Sequence, residues 1–203
     1  MKSLKGSKIK PSCGHVPNDL CQFVLYDESA SLEEVSLIYN YAEVTIRKAV
    51  LGEVDVIKDI VKEAYQPIMK QLSREPAAIK EGLDKISRHI QMGNQYVALV
   101  GDTVVGTMRV RLRGQVGVIS RVAVRSKFRG RRIGTMLVDY AENLLLHMNA
   151  QRIEIEIYGV VEEQLSFYER GGYVETGRIE RLGEEIVIMQ KDLTEQPMDE
   201  DEE

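Results

Sequence analysis

Arg129-Gly130-Arg131-Arg132-Ile133-Gly134-Thr135 packs three arginines and two glycines into seven residues, directly after Val122-Ala123-Val124 and Arg125-Ser126-Lys127-Phe128. An apolar strand-like run, a basic glycine-bearing turn and then a helical repeat make a strand, a loop and a helix start. The first N–H groups of a helix lack internal acceptors, and the aligned peptide dipoles gather positive charge there. Such an end takes phosphate oxygens if the backbone can come close, which Gly130 and Gly134 permit. Arg129, Arg131 and Arg132 add positive potential, so the natural guest is a doubly charged pyrophosphate. Glycine and arginine are also common in plain surface turns, and that reading stays open here. A Walker-type loop is excluded because Gly-Lys-Ser/Thr is absent, and a dinucleotide fingerprint because its glycine spacing is missing. A nucleic-acid surface fits poorly: the basic run is short, its one aromatic is Phe128, and the chain carries a net charge of −5.

The elements that must position this loop follow from periodicity. Val44 to Val50 alternates and predicts a strand ending near Gly52. Val54, Ile57, Val61, Ala64, Tyr65 and Ile68 fall at helical spacing, and Pro67 must kink or divide that helix. After Glu75-Pro76, a second helix is expected with Ile79, Leu83, Ile86 and Ile90 on one face, stopping near Gly93. Strands are expected at Gln95–Val100, Thr103–Leu112 and Val116–Val124, joined by turns at Gly101-Asp102 and Arg113-Gly114. A long amphipathic helix begins around Arg132, its apolar face made by Ile133, Met136, Leu137, Tyr140, Ala141, Leu144, Leu145 and Met148. Arg152–Tyr158 alternates as a strand, Glu162–Arg170 reads as a helix, and Tyr173–Arg181 and Glu185–Lys191 close as a hairpin around Gly183. Upstream, Gln22–Tyr26 reads as a short strand. Ser31 and Glu34 form a capping-box pattern before Leu37, Ile38 and Tyr41, which predicts a short helix. The order implies an α/β (α+β) fold, a mixed and mostly antiparallel sheet of about seven strands flanked by about four helices.

The loop Arg129–Gly134 resembles the acetyl-CoA pyrophosphate loop of the GNAT acetyltransferases, patterned Gln/Arg-x-x-Gly-x-Gly/Ala. The preceding Arg121-Val122-Ala123-Val124 strand and the Lys127-Phe128-Arg129-Gly130 approach are similar to the family as well. Arg132 stands where the family usually has its first glycine, which is acceptable if that residue has helical dihedrals. A second likeness lies in Val161 to Gly177, around Phe167-Tyr168-Glu169 and Gly172-Tyr173-Val174-Glu175-Thr176-Gly177. It resembles the Asn-Glu-x-x-x-x-Phe-Tyr-Glu-Lys-x-Gly-Phe segment, with Val161 in place of the asparagine and its cofactor hydrogen bond.

The resemblance spans about 44–192 and implies three regions: an N-terminal extension at 1–43, a GNAT N-acetyltransferase domain at 44–192, and an acidic tail at 193–203. It implies acetyl-CoA as co-substrate, held by Val122, Ala123, Val124, Arg129, Gly130, Arg131, Arg132, Ile133, Gly134, Thr135 and Tyr168. In the family, the strands here at Val116–Val124 and Arg152–Tyr158 splay apart. The pantetheine arm enters between them, and a backbone N–H polarises the thioester carbonyl. The amine would attack directly, with Tyr168 as general acid toward the departing thiolate; a tyrosine, with a pKa of about 10, keeps its proton at neutral pH. The acceptor expected is a primary amine: a small molecule, a lysine or a peptide N-terminus. Such an amine, with a pKa of about 10.4, is almost wholly protonated at pH 7. Yet Val116–Val124 holds no carboxylate to serve as base. Glu154 and Glu156 are candidates, as is a water chain. The contrasting class is a GNAT fold that binds acyl-CoA as a non-catalytic regulatory module.

Composition sets outer bounds. Of 203 residues, 43% are hydrophobic and 29% charged, enough apolar material for a core. The net acidity weakly favours cationic acceptors. No apolar run reaches the roughly 20 residues that span a bilayer, and Lys2, Lys5, Lys8 and Lys10 lead into Pro11 and Ser12, unlike a secretion signal. Two cysteines, Cys13 and Cys21, make no disulfide framework, so a cytoplasmic setting is expected. With His15 they lack the usual metal spacing, and no metal is expected. His89 and His147 read as helix-surface residues. The N-terminal arm could cover the acceptor cleft or pack against a second copy in a homodimer.

Overall fold

The computed structural model describes residues 39–41 and 44–194. The features expected at Gln22–Tyr26, Ser31–Ile38, Cys13, His15 and Cys21 lie outside the described residues, as does the acidic tail from 195 on. In chain order, the elements are β1 (Tyr39–Tyr41), β2 (Val44–Lys48), α1 (Val54–Met69), α2 (Ala77–Lys80), α3 (Leu83–Gln91), β3 (Gln95–Val100), β4 (Thr103–Arg113) and β5 (Val116–Val124). Then come α4 (Ile133–His147), β6 (Arg152–Tyr158), α5 (Glu162–Arg170), β7 (Val174–Arg181) and β8 (Glu184–Asp192).

The eight strands form one sheet in the order β1-β2-β3-β4-β5-β6-β8-β7. Among the described residues, β5 and β6 are the parallel pair, and every other neighbour is antiparallel. The expected mixed, mostly antiparallel α/β (α+β) fold is therefore the one observed. β1 adds an edge strand, and Tyr41 belongs to it instead of to the helix expected there.

One of the helical expectations is narrowed and another corrected. Pro67 does not divide α1, which runs on to Met69. A proline in the final turn withholds only one intrahelical bond before the helix ends anyway. The single helix expected after Pro76 is two, because Glu81 (ψ 120°) and Gly82 (ψ 158°) are extended between α2 and α3. Leu83 is consequently exposed, while Ile86 and Ile90 are buried. The break turns Glu81 inward, which matters for the site.

Helix α4 lays Leu137, Ala141 and Leu145 on one face of the sheet against Val105, Met108, Val110, Ile119, Ile153 and Ile155, all buried. Full burial of each leucine contributes roughly 2 kcal/mol. Gly117 makes the approach possible, since a Cβ there would lie 2.5 Å from a Leu145 methyl. On the opposite face, α1 and α3 bury Ile57, Ile86 and Ile90 against Val97 and Leu99, while Ile60 and Val61 meet Ala123. Strand β5 is thus clamped from both sides, by α4 near its start and by α1 near its end.

Candidate functional site

Strands β5 and β6 pair only from Val116 to Val118, opposite Arg152 to Glu154. From Ile119 to Val124, β5 has β4 on one side and no strand on the other, so part of its backbone hydrogen-bonding capacity faces an open gap. The expected splay is present, with Val122, Ala123 and Val124 along it. Arg121 creates a bulge in this stretch: its φ is +59°, and the register with β4 slips between Thr107 and Arg109. A bulge twists the strand and re-aims the residues beyond it.

The basic loop leaves the same strand end. Ser126–Phe128 forms one 3₁₀ turn, and α4 starts at Ile133. The first bond of the helix runs from the Met136 N–H to the Arg132 carbonyl at 2.9 Å. The six N–H groups from Gly130 to Thr135 find no acceptor among the described residues. Such a run of free donors at a helix start fits a diphosphate. Arg132 corrects one expectation. Its φ of +60° and ψ of 9° are left-handed, not helical. The arginine thus takes the conformation for which glycine is the usual residue.

The other arginines have local duties. Arg129 donates from Nε to the Val124 carbonyl at 3.3 Å, and Arg131 lies over the Phe128 ring at 5.4 Å. A Cβ at Gly134 would meet Phe167 at 3.7 Å, an ordinary contact, so packing does not demand glycine there. Phe167 in turn stacks edge-on with Tyr168, and Tyr168 with Tyr173, at 4.9 and 5.5 Å. Helix α5 therefore brings Tyr168 beside the start of α4. Burial, reinforced by the nearby Tyr65 phenol, pushes the Tyr168 hydroxyl well above the ordinary tyrosine value. A cavity of roughly 170 Å³ lies between α4 and α5, lined in part by Thr135, Phe167 and Tyr168.

The family model for the acetyltransferase (GNAT) family matches residues 57–173, more than half of the chain. The chain belongs to the GNAT acetyltransferase family. No curated protein matches it by sequence. Solved structures match by fold. The paia N-acetyltransferase from Thermoplasma acidophilum, in complex with coenzyme A, aligns at TM-score 0.66 and 16% identity, over 73% of this chain and 98% of its own. The ribosomal-protein-S18-alanine N-acetyltransferase from Escherichia coli aligns at 0.62 and 12%, over 73% and 93%. yncA from Salmonella typhimurium, solved with its cofactor acetyl-CoA, aligns at 0.62 and 15%, over 75% and 95%.

Several residues of this GNAT site escaped the sequence reading. Glu63 on α1 accepts from the Ser126 N–H at 2.7 Å, from Ser126 Oγ at 2.6 Å and from Arg125 Nη1 at 3.2 Å, anchoring the basic loop at its root. Glu81, buried, takes both Nη groups of Arg109 at 2.9 and 3.0 Å, with Arg121 Nε 3.5 Å away. Burial would raise the Glu81 carboxyl, but Arg109 and then Arg121 prevail and hold it at about 2. Tyr65 sits beside Arg121, and Tyr158 at the end of β6 feels the same guanidinium. One signal was legible: Arg109, Arg111 and Arg113 alternate within an apolar strand, and a strand interior rarely carries charge unless something pairs with it.

Of the two base candidates, Glu156 is engaged by Arg181 at 2.5 and 2.9 Å, which depresses its carboxyl. Glu154 accepts from Gln190 at 3.1 Å and lies at the closed end of the gap, opposite Val118. Neither faces the mouth as a free base. Val161, standing for the family asparagine, is buried. Among the described residues, no cluster of three or more His, Cys, Asp or Glu could hold a metal ion, and no helix is long and apolar enough to cross a membrane.

Proposed function

We propose that this chain is an N-acetyltransferase that carries the acetyl group of acetyl-CoA directly to a primary amine, using residues 44–192 as its catalytic unit. The observation that carries the reading is the gap beside Ile119–Val124, which ends at six N–H groups without an acceptor among the described residues, with Tyr168 packed beside the start of α4. The diphosphate would rest on Gly130–Thr135, with Arg129, Arg131 and Arg132 supplying positive potential. The pantetheine arm would run along Val122–Val124 as an added strand, and a backbone N–H there would stabilise the oxyanion.

In the reaction, the neutral amine attacks the thioester carbon. The C–N bond forms, the carbonyl electron pair moves onto oxygen, and its return breaks the C–S bond. The thiolate takes its proton from the Tyr168 hydroxyl, and the proton shed by the amine leaves through solvent and restores the phenol. Burial keeps Tyr168 protonated, as a donor requires.

Two observations favour a second reading, acyl-CoA binding without transfer: β5 carries no carboxylate, and Val161 offers no side-chain hydrogen bond. Calorimetry with acetyl-CoA, followed by thiol release with an amine panel, separates the two. Binding with amine-dependent CoA release is expected. Binding without amine dependence leaves the regulatory module, and no heat at millimolar acetyl-CoA overturns both readings.

A further inference from the structure

Resting on that reading, we propose that the acceptor is a small amine that also carries a carboxylate, of the amino-acid class, and that Arg121 holds this anion beside the reacting amine, in a positive field to which Arg111 adds.

Arg121 sits at the β5 bulge, immediately before the Val122–Val124 stretch, with its side chain 22% exposed. Its neighbours are Tyr65 and Glu81, and both oxygens of Glu81 already accept from Arg109. Lys85 also approaches Glu81, at 3.3 Å. One carboxylate thus serves three cations. Arg121 Nε is buried without a hydrogen-bond partner, at 3.5 Å from Glu81 Oε2. Arg111 shares the β4 face with Arg109, and its Nε is likewise buried and unpartnered. Burial, and then the charges of Arg113, Arg109 and Arg121, push the Arg111 guanidinium below its ordinary value, as expected where positive charge is in excess. The carboxylates farther along this face are occupied: Glu156 by Arg181, Glu154 by Gln190.

Buried donors without acceptors are costly, and a planar guanidinium suits a carboxylate in two-point contact. The position sets the size of the ligand. Arg121 directly precedes Val122–Val124 on β5, the stretch along which the thioester arm would lie, so the anion site and the reacting carbon fall within a few residues of one strand. The amine and its carboxylate are therefore only a few bonds apart. Ser73, between α1 and α2, donates from its N–H and its Oγ to Glu184 on the β7–β8 hairpin at 2.6 Å and ties the two together. Locally, the charge runs opposite to the net acidity of the chain, and polyamines would meet a guanidinium where they need a carboxylate.

The test presents each standard amino acid and its α-amide to the protein with acetyl-CoA and measures CoA release. The amide amine is the more easily deprotonated, so preference for the acid runs against intrinsic reactivity. At least one acid is expected to be acetylated ten- to a hundredfold faster, by kcat/KM, than its amide. Arg121→Gln should raise KM for that acid by about tenfold or more with unchanged CoA affinity, and Arg111→Gln should act in the same direction. Amides, simple alkylamines or polyamines accepted as well as acids overturn this inference and leave the acetyltransferase reading standing. If acetyl-CoA binds but nothing is acetylated, thermal shifts of the CoA-loaded protein with the same panel decide. Stabilisation by acids alone, lost in Arg121→Gln, supports the anion site, and equal or absent shifts overturn it. Failure to bind acetyl-CoA removes both readings together.

Discussion

Glu81 and Arg109 face each other through two parallel hydrogen bonds, Nη1 to Oε1 at 2.9 Å and Nη2 to Oε2 at 3.0 Å, with both side chains buried. Removing one partner strands the other charge in the interior. Glu81→Ala is expected to cost about 3–5 kcal/mol, read by urea denaturation. The pH dependence has a definite sign. The folded carboxyl is held at about 2, below the ordinary glutamate value of about 4.3. The stabilisation is therefore complete above about pH 5, fades as the pH falls through 4 and is gone near 2. Glu81→Gln should be the less stable protein at pH 7, and its deficit relative to the natural chain should shrink across that acid window.

Glu63 reaches from α1 to Ser126 and Arg125 and fixes the take-off of the basic loop. Glu63→Ala should weaken CoA binding by about tenfold in calorimetry, because a loosened loop must be ordered again on binding. The cost in stability should stay near 1 kcal/mol, since the contact is partly open to solvent. A variant with unaltered CoA affinity would show that the loop is held by other means.

Arg132 takes a left-handed conformation with its φ at +60°. That costs a side-chain-bearing residue about 1–2 kcal/mol, while glycine pays about 0.5–1 kcal/mol in chain entropy. The balance favours Arg132→Gly by roughly 0.5–1 kcal/mol. A thermal midpoint that drops on this substitution would mean the guanidinium contributes more than the backbone loses.

Tyr168→Phe tests the acid directly. CoA affinity should change less than about twofold, whereas kcat should fall by about a hundredfold, within the range of general acid catalysis. Burial holds the phenol above its ordinary value of about 10, so any alkaline loss of kcat from this group in the natural protein should set in above that pH. Equal turnover in Tyr168→Phe would assign proton donation elsewhere.

Local periodicity made most of the architecture readable. Val116–Val124, Arg152–Tyr158 and Glu162–Arg170 appear with the bounds that their residue patterns imply, because alternation and 3.6-residue spacing each select one backbone geometry. The loop at Arg129–Thr135 was legible for a similar reason: glycines, arginines and a helix start are all local features. Where the expectations missed, a distant partner intervened. The helix expected after Pro76 breaks at Glu81 and Gly82, and the extended Glu81 meets Arg109, 28 residues away. No window of sequence contains both ends of that pair.

The chain order of residue types alone determined strands β2 to β8, the long helix, the glycine- and arginine-bearing loop before it and the position of Tyr168 on α5. Tertiary structure decided which charges share a face and which remain uncompensated. Glu63 lies at Ser126, and Glu81 between Arg109 and Arg121, only because the sheet order brings α1, α2, β4 and β5 together. Coulomb and hydrogen-bond energies depend on separation in space and on the removal of water. Both are set by packing, which the linear spacing of Arg109, Arg111 and Arg121 does not encode.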